Sequence, residues 1–234
     1  MEKGIFVTGS DTGVGKTVIA GALAATMKAQ GLNVGVMKPV STGARKIGEK
    51  FVSEDARYLK EIAGSVDELD LINPIRLEPP LAPTLAARKT GITIKLEKVW
   101  SAFKELQSRH DFLVVEGIGG LMVPIDEDHF VADMASKMDL PIVIVCKYYL
   151  GAINHTLLTV ECAKSRNLRI KGLIINMLDK ENEVVTEIEK FSHFPVLGTI
   201  PPNKNISVAN CTFGNIVEYF KQEINILRII KKGI

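Results

Sequence analysis

Apolar residues in this chain fall into short unbroken runs, separated by longer stretches where they recur every three or four positions. "GIFVTG" (4–9), "NVGVMKP" (33–39), "FLVVEG" (112–117), "PIVIVC" (141–146), "IKGLIIN" (170–176) and "FPVLGTIP" (194–201) are the short runs, rich in β-branched residues. Each predicts a strand buried on both faces. The intervening stretches predict helices over 15–31, 96–108, 153–167, 182–194 and 213–230. In the second of these, Val99, Trp100, Phe103 and Leu106 share one stripe, so Trp100 is expected in the core. Strand and helix alternating in this way predict an α/β fold: a three-layer, doubly wound and mainly parallel sheet. No repeat or Pro/Ser/Gly-rich linker divides the pattern, so one domain over 1–234 is expected, with 44–53 as its mobile loop.

Composition narrows the possibilities mainly by exclusion. A net charge of +2 gives no broad basic face for nucleic acid or anionic lipid. No apolar stretch approaches the ~18 residues of a membrane span. The first strand-like run begins at Gly4, so no leader segment is expected ahead of it. Cys146, Cys162 and Cys211 have neither disulfide nor zinc spacing and are expected as buried apolar residues in a reducing cytoplasm.

The chemistry concentrates at the first strand-to-helix turn. "GSDTGVGKT" (9–17) contains Gly-Lys-Thr, but its leading glycine is offset from the usual phosphate-loop spacing, so Ser10 stands in that place. Gly13 and Gly15 leave room for backbone N–H groups to turn inward. The helix that follows adds free donors and a positive dipole end, and Lys16 adds a full charge. The Thr17 hydroxyl suits Mg²⁺. The alternative is a plain helix start capped by Asp11 or Thr12, which leaves the Gly-x-Gly-Lys-Thr sequence unexplained. Glu116 closes "FLVVEG" at a predicted strand end, where a second carboxylate for a magnesium-nucleotide site belongs. Lys38 closes another strand and is fixed by Pro39. Its position fits either the same crevice or a side chain snorkelling to solvent.

Taken in order, these segments resemble the dethiobiotin synthetases, a family of the P-loop class. The loop matches the family's G-T-D-T-x-V-G-K-T with Ser10 for threonine, and "KPVSTG", "SEDA" and "VVEGIGGLMVPI" match its later motifs. "LGAINHTLLT", "IIN" and "LGTIP" extend the resemblance to about Pro202. It implies a P-loop NTPase-like fold and a reaction that uses ATP and Mg²⁺ to close the ureido ring of dethiobiotin. Its substrates would be 7,8-diaminopelargonate and CO₂ or bicarbonate, joined through an N-carbamate and a carbamic-phosphoric anhydride, with ADP and phosphate released.

The resemblance also distributes roles. Lys16 would meet the β/γ-phosphates, with Gly13, Val14, Gly15, Thr17 and Val18 as the cradle and Gly117, Ile118 and Gly119 beside it. Thr17, Asp55 and Glu116 would hold Mg²⁺. Lys38 would lie between carbamate and γ-phosphate, and Lys16 and Lys38 would be the catalytic pair. Thr12 and Thr42 would touch the carbamate or a substrate amine. Asn176 and Met177 would read adenine, walled by Pro201, Pro202 and Asn203. Gly151, Ala152 and Asn154 would bind the substrate's carboxylate tail across the two-fold axis of a homodimer, with His155 structural. The chain departs from the family at Tyr149, where some relatives carry lysine, and at Thr84, where histidine is common.

Partitioning and cell-division ATPases share the loop but carry a lysine where Asp11 stands, an acid of the wrong sign for that task. Amidotransferase synthetases need a further glutaminase domain with a nucleophilic cysteine. A nucleotide-binding module without catalysis would leave Lys38 and Thr42 without a purpose.

Overall fold

The structure is a computed structural model that describes residues 2–178 and 183–231. The first apolar run forms β1 (Gly4–Gly9), with all six residues buried, and leads into α1 (Lys16–Ala29) and β2 (Val34–Met37). Short elements follow: β3 (Val40–Thr42), β4 (Arg45–Ile47), β5 (Lys50–Val52), α2 (Glu54–Ile62), α3 (Leu69–Ile72), β6 (Ile75–Leu77) and α4 (Pro83–Thr90). Long alternation then resumes with α5 (Leu96–Arg109), β7 (Phe112–Glu116), α6 (Val131–Met138), β8 (Ile142–Lys147), α7 (Ala152–Ser165), β9 (Ile170–Asn176), α8 (Glu183–Ser192) and β10 (Val196–Ile200). The two-residue strands β11 (Ile206–Ser207) and β12 (Thr212–Phe213) precede α9 (Ile216–Glu223) and α10 (Ile226–Ile230).

Six strands make one wholly parallel sheet in the order β10-β9-β8-β1-β7-β2. Side chains on a strand alternate between faces, and two cores result. Phe6, Leu113, Val115, Ile142 and Ile144 point into the core beneath α5, α6 and α8. Ile5, Val7, Val114, Val143 and Val145 point into the opposite core, beneath α1, α2, α9 and α10. Burial on both faces is why these strands read as unbroken apolar runs. Among the described residues, no helix is long and apolar enough to cross a membrane.

Four expectations change. The stretch 44–53, expected as a mobile loop, contains the antiparallel hairpin β4–β5. The C-terminal helix is broken, because Ile224 adopts extended backbone between α9 and α10. Trp100 is half-buried at the rim of the core, with the Lys137 ammonium 4.4 Å from its ring centre. Of the cysteines only Cys146 is buried; Cys162 and Cys211 are partly exposed.

Candidate active site

The carboxyl ends of β1, β2 and β7, with the start of α2, supply the groups of the site. Beyond β1 the loop passes through Gly13 at φ 72° and Gly15 at φ 99°, left-handed backbone that disfavours side chains. A Cβ on Gly15 would also lie 2.1 Å from the Asn176 amide nitrogen. Helix α1 starts directly after Gly15 without a side-chain cap, which removes the alternative of Asp11 or Thr12 capping it. Asp11 instead accepts from the Thr12 backbone N–H at 2.6 Å. The first amides of α1 are left to serve an anion.

Lys16 is 6% exposed and donates to the Asp11 carbonyl at 2.9 Å. Burial and then the nearby Lys38 charge bring its pKa down to about 8, with Glu116, Asp55 and Asp11 opposing. Lys38 lies deeper still. Its ammonium is 2.6 Å from Glu116 Oε1 and 2.8 Å from Asp55 Oδ2, and it donates to the Gly117 carbonyl at 3.1 Å. Of the two readings its position allowed, the crevice holds. Burial pulls its pKa down, but the charges of Asp55 and Glu116 outweigh that and hold it above the ordinary lysine value.

The carboxylates respond in opposite directions. Burial raises Asp55, yet the Lys38 charge and hydrogen bond overcome it, and its pKa falls below the usual range. Glu116 is almost completely buried, and desolvation raises its pKa despite Lys38. Its Oε1 also accepts from Thr17 Oγ1 at 2.8 Å, whereas its buried Oε2 has no hydrogen-bond partner among the described residues. A buried carboxylate oxygen left over beside a hydroxyl and a second carboxylate is the donor set a small hard cation takes. Thr17, Asp55 and Glu116 thus have the chemistry to hold such a cation. Asp55 owes its place to α2, which Ser53 caps by accepting from the Ala56 N–H at 3.4 Å.

These groups line a cleft of about 810 Å³. Thr12, Gly13, Gly15, Val18, Thr42, Ile118 and Gly119 line it as well. Val14 turns its side chain into the core. Gly117 contributes its carbonyl, and a Cβ there would meet the Phe6 ring at 2.9 Å.

The expected adenine residues lie outside that cleft. Asn176 is buried and donates to the Val14 carbonyl at 2.9 Å, which ties the end of β9 to the loop. Met177 is 42% exposed, and Asn203 donates to Asn215 Oδ1 at 2.7 Å. Pro201 and Pro202 precede Asn203 at the protein surface. Gly151, Ala152 and Asn154 sit at the start of α7, also outside the cleft. That helix sends His155, which bonds Tyr149 through Nδ1, into a second groove of about 280 Å³ shared with Asp11 and Met122. Thr84 is not on the cleft wall, although Pro80, Leu81, Ala82 and Pro83 before it are. Those four, Val123 and Val208 were not foreseen. "EPPLAP" carries Pro80 to Pro83, and Val123 lies within "VVEGIGGLMVPI".

A family described as an AAA domain matches residues 3–210. The ATP-dependent dethiobiotin synthetase BioD of Thermodesulfovibrio yellowstonii is 39% identical over 214 residues, covering 86% of this chain and 89% of the relative. Its counterpart in Methanocaldococcus jannaschii is 39% identical over 214 residues, covering 87% and 96%. That of Bacillus subtilis strain 168 is 37% identical over 229 residues, 96% of each chain. Among solved structures, a ParA family ATPase from Chlorobium tepidum aligns with a TM-score of 0.54 at 17% identity, covering 95% of this chain and all of that one. MinD from Aquifex aeolicus aligns at 0.59 and 15%, covering 99% and 98%. At such low identity the structural likeness establishes the P-loop NTPase-like fold and nothing further.

Proposed function

The chain belongs to the family of ATP-dependent dethiobiotin synthetases, and from that premise we propose how its residues divide the work of the reaction. It is an ATP-dependent ligase that forms carbon–nitrogen bonds. The substrates are 7,8-diaminopelargonate and CO₂, with bicarbonate as its source. One amine of the diamine takes up CO₂ as a carbamate and loses a proton. A carbamate oxygen attacks the γ-phosphorus of ATP and expels ADP. The second amine attacks the carbonyl carbon of the mixed anhydride and loses a proton, phosphate leaves with the bonding electron pair, and the ureido ring closes.

The observation that carries this reading is the Lys38 ammonium, buried at 2.6 Å and 2.8 Å from two carboxylates in the cleft that also holds Lys16. Phosphoryl transfer through a loose transition state asks for positioning and fixed charge. A lysine held above its ordinary pKa stays charged, so Lys38 acts as a fixed cation between carbamate and γ-phosphate, not as a base. Lys16 meets the β/γ-phosphates, whose negative charge restores the proton that burial weakens. Thr17, Asp55 and Glu116 would hold Mg²⁺, which neutralises phosphate charge when bound. Thr12 and Thr42, both on the cleft wall, orient the carbamate and the amines. Asn176, Met177 and residues 201–203 take the adenine.

The reading includes a cytoplasmic homodimer in which Gly151, Ala152 and Asn154 of one copy bind the carboxylate tail of substrate held by the other. Exposed Met122 and Leu158 on the second groove, with exposed Tyr149 bonded to its His155, support it, because grouped apolar side chains on a surface mark contact sites. Lys38→Met tests the assignment: kcat is expected to fall at least ~100-fold while nucleotide affinity changes less than ~3-fold. Equal losses in both would make Lys38 merely a nucleotide holder.

A further inference from the structure

Chain geometry after β2 poses a problem that one distant side chain solves. The strand ends at Met37, and Pro39 has no N–H with which to continue a ladder. Lys38 lies just past that strand end in a fully buried place, so its carbonyl needs a partner from elsewhere in the chain. Asn73, 0% exposed at the end of α3, donates its amide to that carbonyl at 2.6 Å. The same amide donates to the Ile75 carbonyl at 3.2 Å. Its oxygen accepts from the Ser41 hydroxyl at 2.8 Å. The Lys38 N–H is fixed alongside, donating to the Ile72 carbonyl at 2.8 Å.

Everything downstream is registered from this point. Strand β3 pairs with β6 through Val40 with Ile75, Ser41 with Arg76 and Thr42 with Leu77. The pairing is only three residues long, so it has little holding power by itself. Asn73 spans both partners, bonded to Lys38 and Ser41 on one side and to Ile75 on the other.

We propose that Asn73 is a positioning residue for the synthetase reaction, acting through Lys38. The inference rests on the role given to Lys38 above. Asn73→Ala is expected to lower kcat by ~10–100-fold at saturating substrates, the size of loss that follows misplacement by about 1 Å. Nucleotide affinity stays within ~3-fold, because the phosphate loop is untouched. Ser41→Ala is the control: it removes another bond to the same amide but spares the donor to Lys38, and kcat is expected within ~3-fold of wild type.

All variants are compared at temperatures where melting curves show them folded, and Asn73→Ser replaces Asn73→Ala under the same criteria should the alanine form not fold. In a Lys38→Met background, adding the Asn73 change is expected to alter residual phosphate release by less than ~2-fold. Undiminished kcat in the Asn73 variant, or its full effect persisting in that background, overturns the inference. Full turnover by Lys38→Met alone would instead overturn the role given to Lys38, which keeps the two failures apart.

Discussion

Replacing Lys16 with methionine is expected to stabilise the ligand-free protein while abolishing its use of nucleotide. Lys16 is 6% exposed, and its ammonium contacts one carbonyl, that of Asp11. Its pKa falls from 10.5 to about 8, and each unit is worth about 1.4 kcal/mol, so keeping it charged at neutral pH costs ~3 kcal/mol. Methionine keeps an apolar stem of similar length and carries no charge. For a chain of this size ~3 kcal/mol corresponds to a rise in Tm of roughly 6–12 °C.

The pH dependence gives this prediction its sign. The penalty is fully present below pH 8, where folded and unfolded chains both hold the proton. Between about pH 8 and 10.5 only the unfolded chain still holds it, so wild type gains stability and the advantage of Lys16→Met closes. Urea unfolding at intervals from pH 7 to 10.5, without nucleotide, phosphate or sulfate, measures this directly. Saturating ATP reverses the order at neutral pH, since a ligand at 1,000 times its Kd adds about 4.1 kcal/mol to wild type alone. A variant no more stable than wild type at pH 7, or a difference unmoved by pH, refutes the reasoning.

Three further outcomes follow from the same geometry. Glu116→Gln removes the carboxylate whose Oε2 lacks a partner, so Mg²⁺-dependent ATP affinity is expected to drop at least ~10-fold, with metal-free ADP binding within ~3-fold; calorimetry with and without a chelator reads both. Gly15→Ala forces a side chain onto φ 99° backbone and against Asn176, and is expected to destabilise the fold by ~1–3 kcal/mol and eliminate nucleotide binding; wild-type titrations would show the loop to be pliable. Asn154→Ala is expected to raise the KM for the diamine by ~10-fold, and an unchanged KM removes the proposed contact across subunits.

What could be read from the sequence follows the size of each physical signal. Strands of four to seven residues buried on both faces announce themselves as apolar runs, and the glycines and lysine of 9–17 gave the loop directly. Glu116 was legible because it ends such a run. Asp55 was not, since an acid in the first turn of a helix is ordinary; only the ordered resemblance singled it out. Lys38 is ambiguous from sequence, because the two carboxylates that hold it, Asp55 and Glu116, lie far from it along the chain. Asn73, followed by proline, looks like a turn residue, and its hydrogen bonds to Lys38 and Ser41 span more than thirty positions. The three-residue strands β3 and β6 are too short to show a period.

The break between α9 and α10 is also tertiary in origin. The apolar spacing runs through it, but the chain there lies against β10, where a Cβ on Gly198 would be 2.4 Å from the Ile224 side chain and 2.9 Å from the Glu223 carbonyl. Packing against the sheet overrides the local preference for helix. The same limit applies to Val208, which reaches the cleft from the end of β11 with no local signal to mark it.

The most direct measurement is phosphate release from Mg²⁺-ATP by the purified protein, with dethiobiotin followed by mass spectrometry in the same samples. With 7,8-diaminopelargonate and bicarbonate present, one phosphate is expected per dethiobiotin, and omission of either substrate is expected to abolish both signals. Steady ATP hydrolysis that ignores the diamine, with no dethiobiotin formed, would contradict the assignment of this site to ring closure.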